Sequence, residues 1–137
     1  MINFFNEDIE FKLKGKNNFK EWLKKVAEIE GFRINDLNYI FCSDKFLHKM
    51  NLEYLEHDTY TDIITFDNSE DEKTIEGDIF LSIERITDNS ITLNTLFEDE
   101  IKRVIVHGLL HLCGYNDHSN KEKVEMRGLE SKYILIF

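Results

Sequence analysis

The sequence predicts an α+β fold: a single domain over residues 1–137 with one mixed sheet of about four strands packed by helices. Three observations predict it. Short stretches rich in β-branched and aromatic residues, such as "TDIITFD" (Thr61 to Asp67) and "GDIFLSI" (Gly77 to Ile83), read as strands. They alternate with longer stretches whose apolar residues recur at intervals of three and four, the helical period. The chain has no proline, no Gly/Ser-rich linker and no repeat, so nothing divides 137 residues into two units.

Each element has its own local reason. "FKLKGK" (Phe11 to Lys16) alternates as a strand does. In "NNFKEWLKKVAEIEG", Asn17 or Asn18 can cap a helix with Phe19, Trp22, Leu23, Val26 and Ile29 on one face and Gly31 at its end. "NYIFCS" reads as a short strand, after which Ser43 caps a helix with Phe46, Leu47, Met50 and Tyr54 on its apolar face. "NSEDEKTIEG" (Asn68 to Gly77) is the most loop-like stretch, and a short helix is expected near Glu84 to Asp88. Thr95 and Glu98 have the spacing of a capping box for a long helix ending at Gly114. Ser119 or Asn120 then starts a final helix through Val124, Leu129 and Tyr133.

Composition narrows the function classes. The two cysteines, Cys42 and Cys113, form no spaced framework, which fits a reducing cytoplasm. The N-terminus carries acids where a signal peptide carries lysines, and no apolar run reaches the ~18–20 residues of a membrane span. A net charge of −10 argues against general binding to phosphate backbones, DNA included. The exception is Phe11 to Lys25, with six lysines and one glutamate. Lys12, Lys14 and Lys16, with Trp22 or Tyr60, are candidate contacts to a polyanion, although core packing is the expected role of Trp22.

The chemistry concentrates in "VIVHGLLHLCGYNDH", Val104 to His118, which holds three of five histidines. His107 and His111 are four apart, so on a helix their Cβ atoms lie ~5–6 Å apart on one face. Two imidazoles so placed can reach one ion at the ~2.0–2.1 Å of a Zn–N bond. A turn at Gly114 lets His118 supply a third ligand, and three ligands with an open position describe a catalytic zinc. Apolar neighbours favour neutral imidazole, the metal-binding form. Zinc is the expected ion, and other divalent transition metals also suit imidazole.

Gly108 stands where a zincin protease has its general-base glutamate, which argues against peptide hydrolysis. Cys113, two residues past His111, faces away from the ligand side and is expected in the core, as is Cys42. His48 is expected to be partly exposed, and His57 to lie at the surface or against substrate. Asp62 and Asp78 open strands, where they can cap turns or hydrogen-bond a ligand imidazole.

"HGLLHLCGYNDH" resembles the pattern of the YbeY family, bacterial zinc-dependent endoribonucleases of ribosomal RNA maturation: His-Gly-x-Leu-His-Leu-x-Gly-Tyr-Asp-His. "HDTYTDIITF" (His57 to Phe66) and "EGDIFLSI" (Glu76 to Ile83) resemble two further segments of that family. The resemblance implies His107, His111 and His118 as metal ligands, single-stranded ribosomal RNA as substrate and the small ribosomal subunit as a partner. His118 sits one position late in that pattern, so Asn116 or Asp117 could ligate through oxygen instead. Tyr54-Leu55 stands where the family has Tyr-Arg, which removes a guanidinium suited to phosphate. Two alternatives follow: a metal-stabilised ribosome-assembly or RNA-binding factor that does not cut, and a zinc hydrolase of another substrate.

Overall fold

In chain order the computed structural model, which describes residues 1–56 and 61–137, runs β1 (Ile2–Asn6), α1 (Lys16–Ile29), β2 (Arg33–Cys42), α2 (Asp44–Leu55), β3 (Ile63–Asp67), β4 (Thr74–Ser82), α3 (Ile83–Thr92), α4 (Phe97–Leu112) and α5 (Asn120–Ile134). The strands form one four-stranded sheet of order β1-β2-β4-β3. The β1–β2 and β2–β4 pairs are parallel and β3–β4 is antiparallel, so the sheet is mixed as expected.

The two faces of the sheet are covered unequally. Leu37, Tyr39 and Phe41 of β2, with Ile75, Ile79 and Leu81 of β4, enter the main apolar cluster. Phe19, Trp22, Leu23 and Val26 of α1 join them there, with Ile86 of α3, most of α4, and Met126 and Tyr133 of α5. A smaller cluster of Cys42, Leu47 and Ile64 seats α2 on the other face. The main cluster matters for the site because α4 runs through it. Val104, Ile105, Val106, Gly108, Leu109, Leu110 and Leu112 are all buried. At Gly108 a Cβ would lie 2.9 Å from Ile79 Cδ1 and 3.0 Å from Ile63 Cδ1, so the glycine lets the helix approach the sheet. Tyr39 donates its hydroxyl to the Ile105 carbonyl at 2.9 Å and ties β2 to the same helix.

Three local expectations are corrected. "FKLKGK" is no strand: Leu13 is buried and Phe11 packs edge-on against Phe41, so the alternation reflects one-sided packing without a ladder. The strand beside β2 is instead β1, in register from Ile2↔Leu37. α1 begins after Gly15, in the left-handed region at φ 75°, with no side-chain cap from Asn17 or Asn18. Leu96, not Thr95, caps α4 without a side-chain hydrogen bond. The Thr95 N–H donates to the Ser90 carbonyl in the preceding turn, while Glu98, Asp99 and Glu100 face the positive end of the helix dipole. Ser43 and Ser119 do cap α2 and α5, the latter through a full capping box with Glu122.

Candidate metal centre

α4 presents His107 and His111 one turn apart, both half-buried, at the wall of a cleft of about 660 Å³. The far wall comes from α2, including Leu55, from Asp62 just before β3 and from β3 itself, and the near rim from Asp117, His118 and α5. The loop after α4 is held in place. Gly114 turns at φ 103°, the Tyr115 N–H donates to the Leu110 carbonyl, and the Tyr115 hydroxyl donates to Glu30 Oε1 at 2.7 Å. That bond to a carboxylate is the main reason the Tyr115 hydroxyl is pushed up to about 12.

Both imidazoles have one nitrogen fixed by an acceptor. His107 Nδ1 lies 2.6 Å from Glu130 Oε2, and His111 Nδ1 lies 2.9 Å from the Tyr115 carbonyl. A carboxylate and a carbonyl only accept, so each Nδ1 carries a hydrogen and each Nε2 presents its lone pair. The two Nε2 atoms converge to 2.9 Å. Two lone pairs at that distance repel unless one ring is protonated or a cation lies against both.

Asp117 completes the group. Its Oδ2 is 3.4 Å from His107 Nε2 and 3.6 Å from His111 Nε2. One ligand atom from each of His107, His111 and Asp117 lies within 4.8 Å of the other two, a donor set of two nitrogens and one oxygen that suits zinc. The electrostatics agree. Burial pushes His107 down, but the Glu130 hydrogen bond and the charges of Glu130, Asp117 and Asp62 outweigh it and raise its pKa. Burial and then the His107 charge hold His111 below its ordinary value, as for two rings that share one positive charge.

Glu130 was not singled out in the sequence. It is buried, 4% exposed, and its second oxygen accepts from Arg103 Nη1 at 2.9 Å. Its signal was a glutamate in helical step with Met126 and Tyr133, a buried stripe that tolerates a charge only when it is paired. Asp62 lines the cleft and acts on His107 through its charge; its own pKa is raised, by burial first.

The other candidates fall elsewhere. His118 lines the cleft but is exposed and is not a member of the group that includes Asp117. Asp78 accepts from Asn38 Nδ2 at 3.0 Å within the sheet. Cys42 is buried and Cys113 half-buried, and burial pushes both thiols up to about 12. His48 is half-buried. Trp22 is a core residue that donates to the Tyr133 carbonyl at 2.7 Å, while Lys12 and Lys14 line a separate hollow with Phe97 and Phe137. His57 and Tyr60 lie outside the described residues.

Known proteins resemble the chain over nearly its whole length. The chain is 51% identical over 134 residues to an endoribonuclease YbeY of Amoebophilus asiaticus, covering 98% of this chain and 91% of that protein. It is 47% identical over 136 residues to the one from Christiangramia forsetii, covering 99% and 94%. A solution structure of a Thermotoga maritima protein superposes with a TM-score of 0.66 at 28% identity, covering 98% of this chain and 87% of that one. The family model "Endoribonuclease YbeY" matches residues 1–136, and the chain belongs to that family.

Proposed function

We propose that this chain is a metal-dependent endoribonuclease that cuts single-stranded RNA during ribosomal RNA maturation, acting as one domain over residues 1–137 in the cytoplasm. The observation that carries the reading is the convergence of His107 Nε2 and His111 Nε2 at 2.9 Å with both Nδ1 atoms already held. His107 and His111 are two ligands. For the third, the placement of Asp117 Oδ2 within 3.6 Å of both rings favours the carboxylate over His118. Zinc is the first choice of metal, and a two-histidine, one-carboxylate set also suits iron or manganese.

A divalent ion held there would lower the pKa of a water toward ~7 and polarise a phosphoryl oxygen. The chain's own residues prepare that chemistry. Glu130 keeps the proton on His107 Nδ1 and fixes the ring, and Arg103 in turn fixes Glu130. The Tyr115 carbonyl does the same for His111, on a loop pinned to Glu30. The cleft is open enough at about 660 Å³ to admit a segment of a polynucleotide. The family resemblance extends the reading to the small ribosomal subunit as the particle that carries the RNA.

The test is elemental analysis beside RNA cleavage, in wild type and in His107→Ala, His111→Ala, Asp117→Ala and His118→Ala. The expected result is one equivalent of metal in wild type, and loss of both metal and cleavage in the first three variants. Metal lost in His118→Ala and kept in Asp117→Ala would return the third position to His118. Cleavage that survives loss of the metal would overturn the reading of a metal-dependent nuclease. Binding without turnover in pure, metal-loaded protein would favour the assembly-factor alternative, for which Leu55 on the cleft wall is the supporting feature.

A further inference from the structure

We infer that Lys123 and Arg127, on the face of α5 that borders the cleft, are the residues that hold the phosphates flanking the bond to be cut. This rests on the reading of the cleft as an RNA site and assigns it the cationic wall that such a substrate needs.

A polyanion entering the cleft meets several carboxylates. Asp62, Glu100, Asp117 and Glu130 all line it, in a chain of net charge −10. The far wall, from α2 and β3, brings Leu55 and no cation among the described residues. The described cations that line the cleft are Arg103, Lys123 and Arg127. Arg103 is already committed: Nη1 donates to Glu130 Oε1 at 2.9 Å and Nη2 to Ser131 Oγ at 3.3 Å.

Lys123 and Arg127 differ from it. Both are exposed, and neither side chain has a hydrogen-bonded or ion-paired partner among the described residues. Arg127 lines the same cleft as the buried Glu100 carboxylate, whose pKa its charge lowers. Four residues apart on a helix, the two cations sit one turn from each other, with Cβ atoms ~5–6 Å apart. They therefore offer two contacts along one strand. Arg127 brings a planar fork that grips phosphate oxygens in pairs, and Lys123 a point charge. Glu130, one turn beyond Arg127's neighbour Met126, orients His107, so one helix both fixes a ligand and receives the backbone of the strand.

The experiment measures binding of a fluorescein-labelled single-stranded RNA 12-mer with 2′-O-methyl riboses to the zinc-loaded protein, by anisotropy across a salt series. Wild type is compared with Lys123→Ala/Arg127→Ala, with Arg127→Lys, and with Lys24→Ala/Lys25→Ala, which removes the same charge from α1. Each phosphate contact to a single strand contributes about 0.7 to the slope of log K against log salt. The α5 double variant is expected to bind roughly ten-fold more weakly at moderate salt, with a slope smaller by about 1.4. Its metal content should stay unchanged, and Arg127→Lys should keep the slope. An unchanged slope in the α5 variant, or an equal loss in the α1 variant, overturns the inference. If wild type neither binds nor cuts RNA, the nuclease reading has failed; if it does both and the α5 variant matches it, only this assignment has.

Discussion

His107 Nε2 and His111 Nε2 lie 2.9 Å apart while Glu130 and the Tyr115 carbonyl occupy the opposite nitrogens of the two rings. In the metal-free protein the two rings share one proton; a cation that takes its place between them binds the folded chain alone, so binding should be felt as stability. With zinc at a hundred times its Kd, the folded state gains about 2.7 kcal/mol. For a chain of 137 residues that raises Tm by on the order of 10 °C. Calorimetry with zinc against calorimetry with chelator checks it, and an unchanged Tm would contradict the metal centre.

Glu130 serves two partners, so its removal should have two effects. Glu130→Gln keeps the shape but replaces the carboxylate that both His107 and Arg103 use. Loss of such a supporting partner weakens metal binding by about 10–100-fold. Glu130→Ala additionally strands the partly buried Arg103 guanidinium, and breaking a buried pair costs about 3–5 kcal/mol. Zinc titration by competition with a chromophoric chelator, beside urea unfolding, separates the two. Equal zinc affinity in the Glu130→Gln variant and wild type would remove Glu130 from the site.

The site was legible in the sequence where one helix carries it. His107 and His111 could be paired from spacing and from their apolar neighbours, because a helix has a fixed period. The third position was not, because it lies in a loop with Asn116, Asp117 and His118 adjacent. Counted on from His107, Asp117 falls where the family pattern has its last histidine, while the turn at Gly114 and the resemblance pointed to His118 with Asn116 and Asp117 as oxygen alternatives. Glu130, Lys123 and Arg127 were hidden for another reason. They reach the cleft from α5 only through tertiary packing against α4. Fold class survived local errors for a similar reason: the core strands β2 and β4 and the helix α4 declare themselves by apolar pattern. The edge strand β1, with Asn and exposed Phe5, does not.

Asp62 gives a pH dependence. Burial is the main cause of its raised pKa, and the neighbouring carboxylates Glu130 and Asp117 add to it against the opposing charge of His107. A carboxyl whose pKa is raised in the folded state costs stability when ionised. That cost is full above the folded-state pKa and absent below the ordinary value of 3.8. Asp62→Asn should therefore raise the Tm of metal-free protein at pH 7, with the gain shrinking as pH falls toward 4. A gain that grows on acidification has the wrong sign and would rule out burial as the cause.

The two cysteines should be quiet. Cys42 is fully buried and donates to the Leu81 carbonyl at 3.4 Å, and burial pushes it and Cys113 up to about 12. The thiolate is the reactive form, so at pH 8 both should react with iodoacetamide far more slowly in native protein than in urea. Rapid native labelling followed by mass spectrometry would place a thiolate at the site of whichever cysteine reacts.

Two glycines in regular structure should respond to alanine in opposite directions. In β4, a Cβ on Gly77 would lie 2.5 Å from the Phe66 carbonyl oxygen and 3.1 Å from Leu112 Cδ1. The carbonyl belongs to the β3 backbone paired with β4 and cannot swing aside as a side-chain end can. Gly77→Ala should thus cost at least the ~1–3 kcal/mol of an overpacked site. Because β3 and the end of α4 both border the cleft, that variant should also bind zinc more weakly. In α5, a Cβ on Gly128 would meet nothing within 4 Å, so only helix propensity remains. Gly128→Ala should stabilise by about 0.5–1 kcal/mol and leave zinc affinity unchanged. Urea midpoints and zinc titrations of the two variants read both effects, and a tolerated Gly77→Ala would mean that β3 does not pair with β4 in this register.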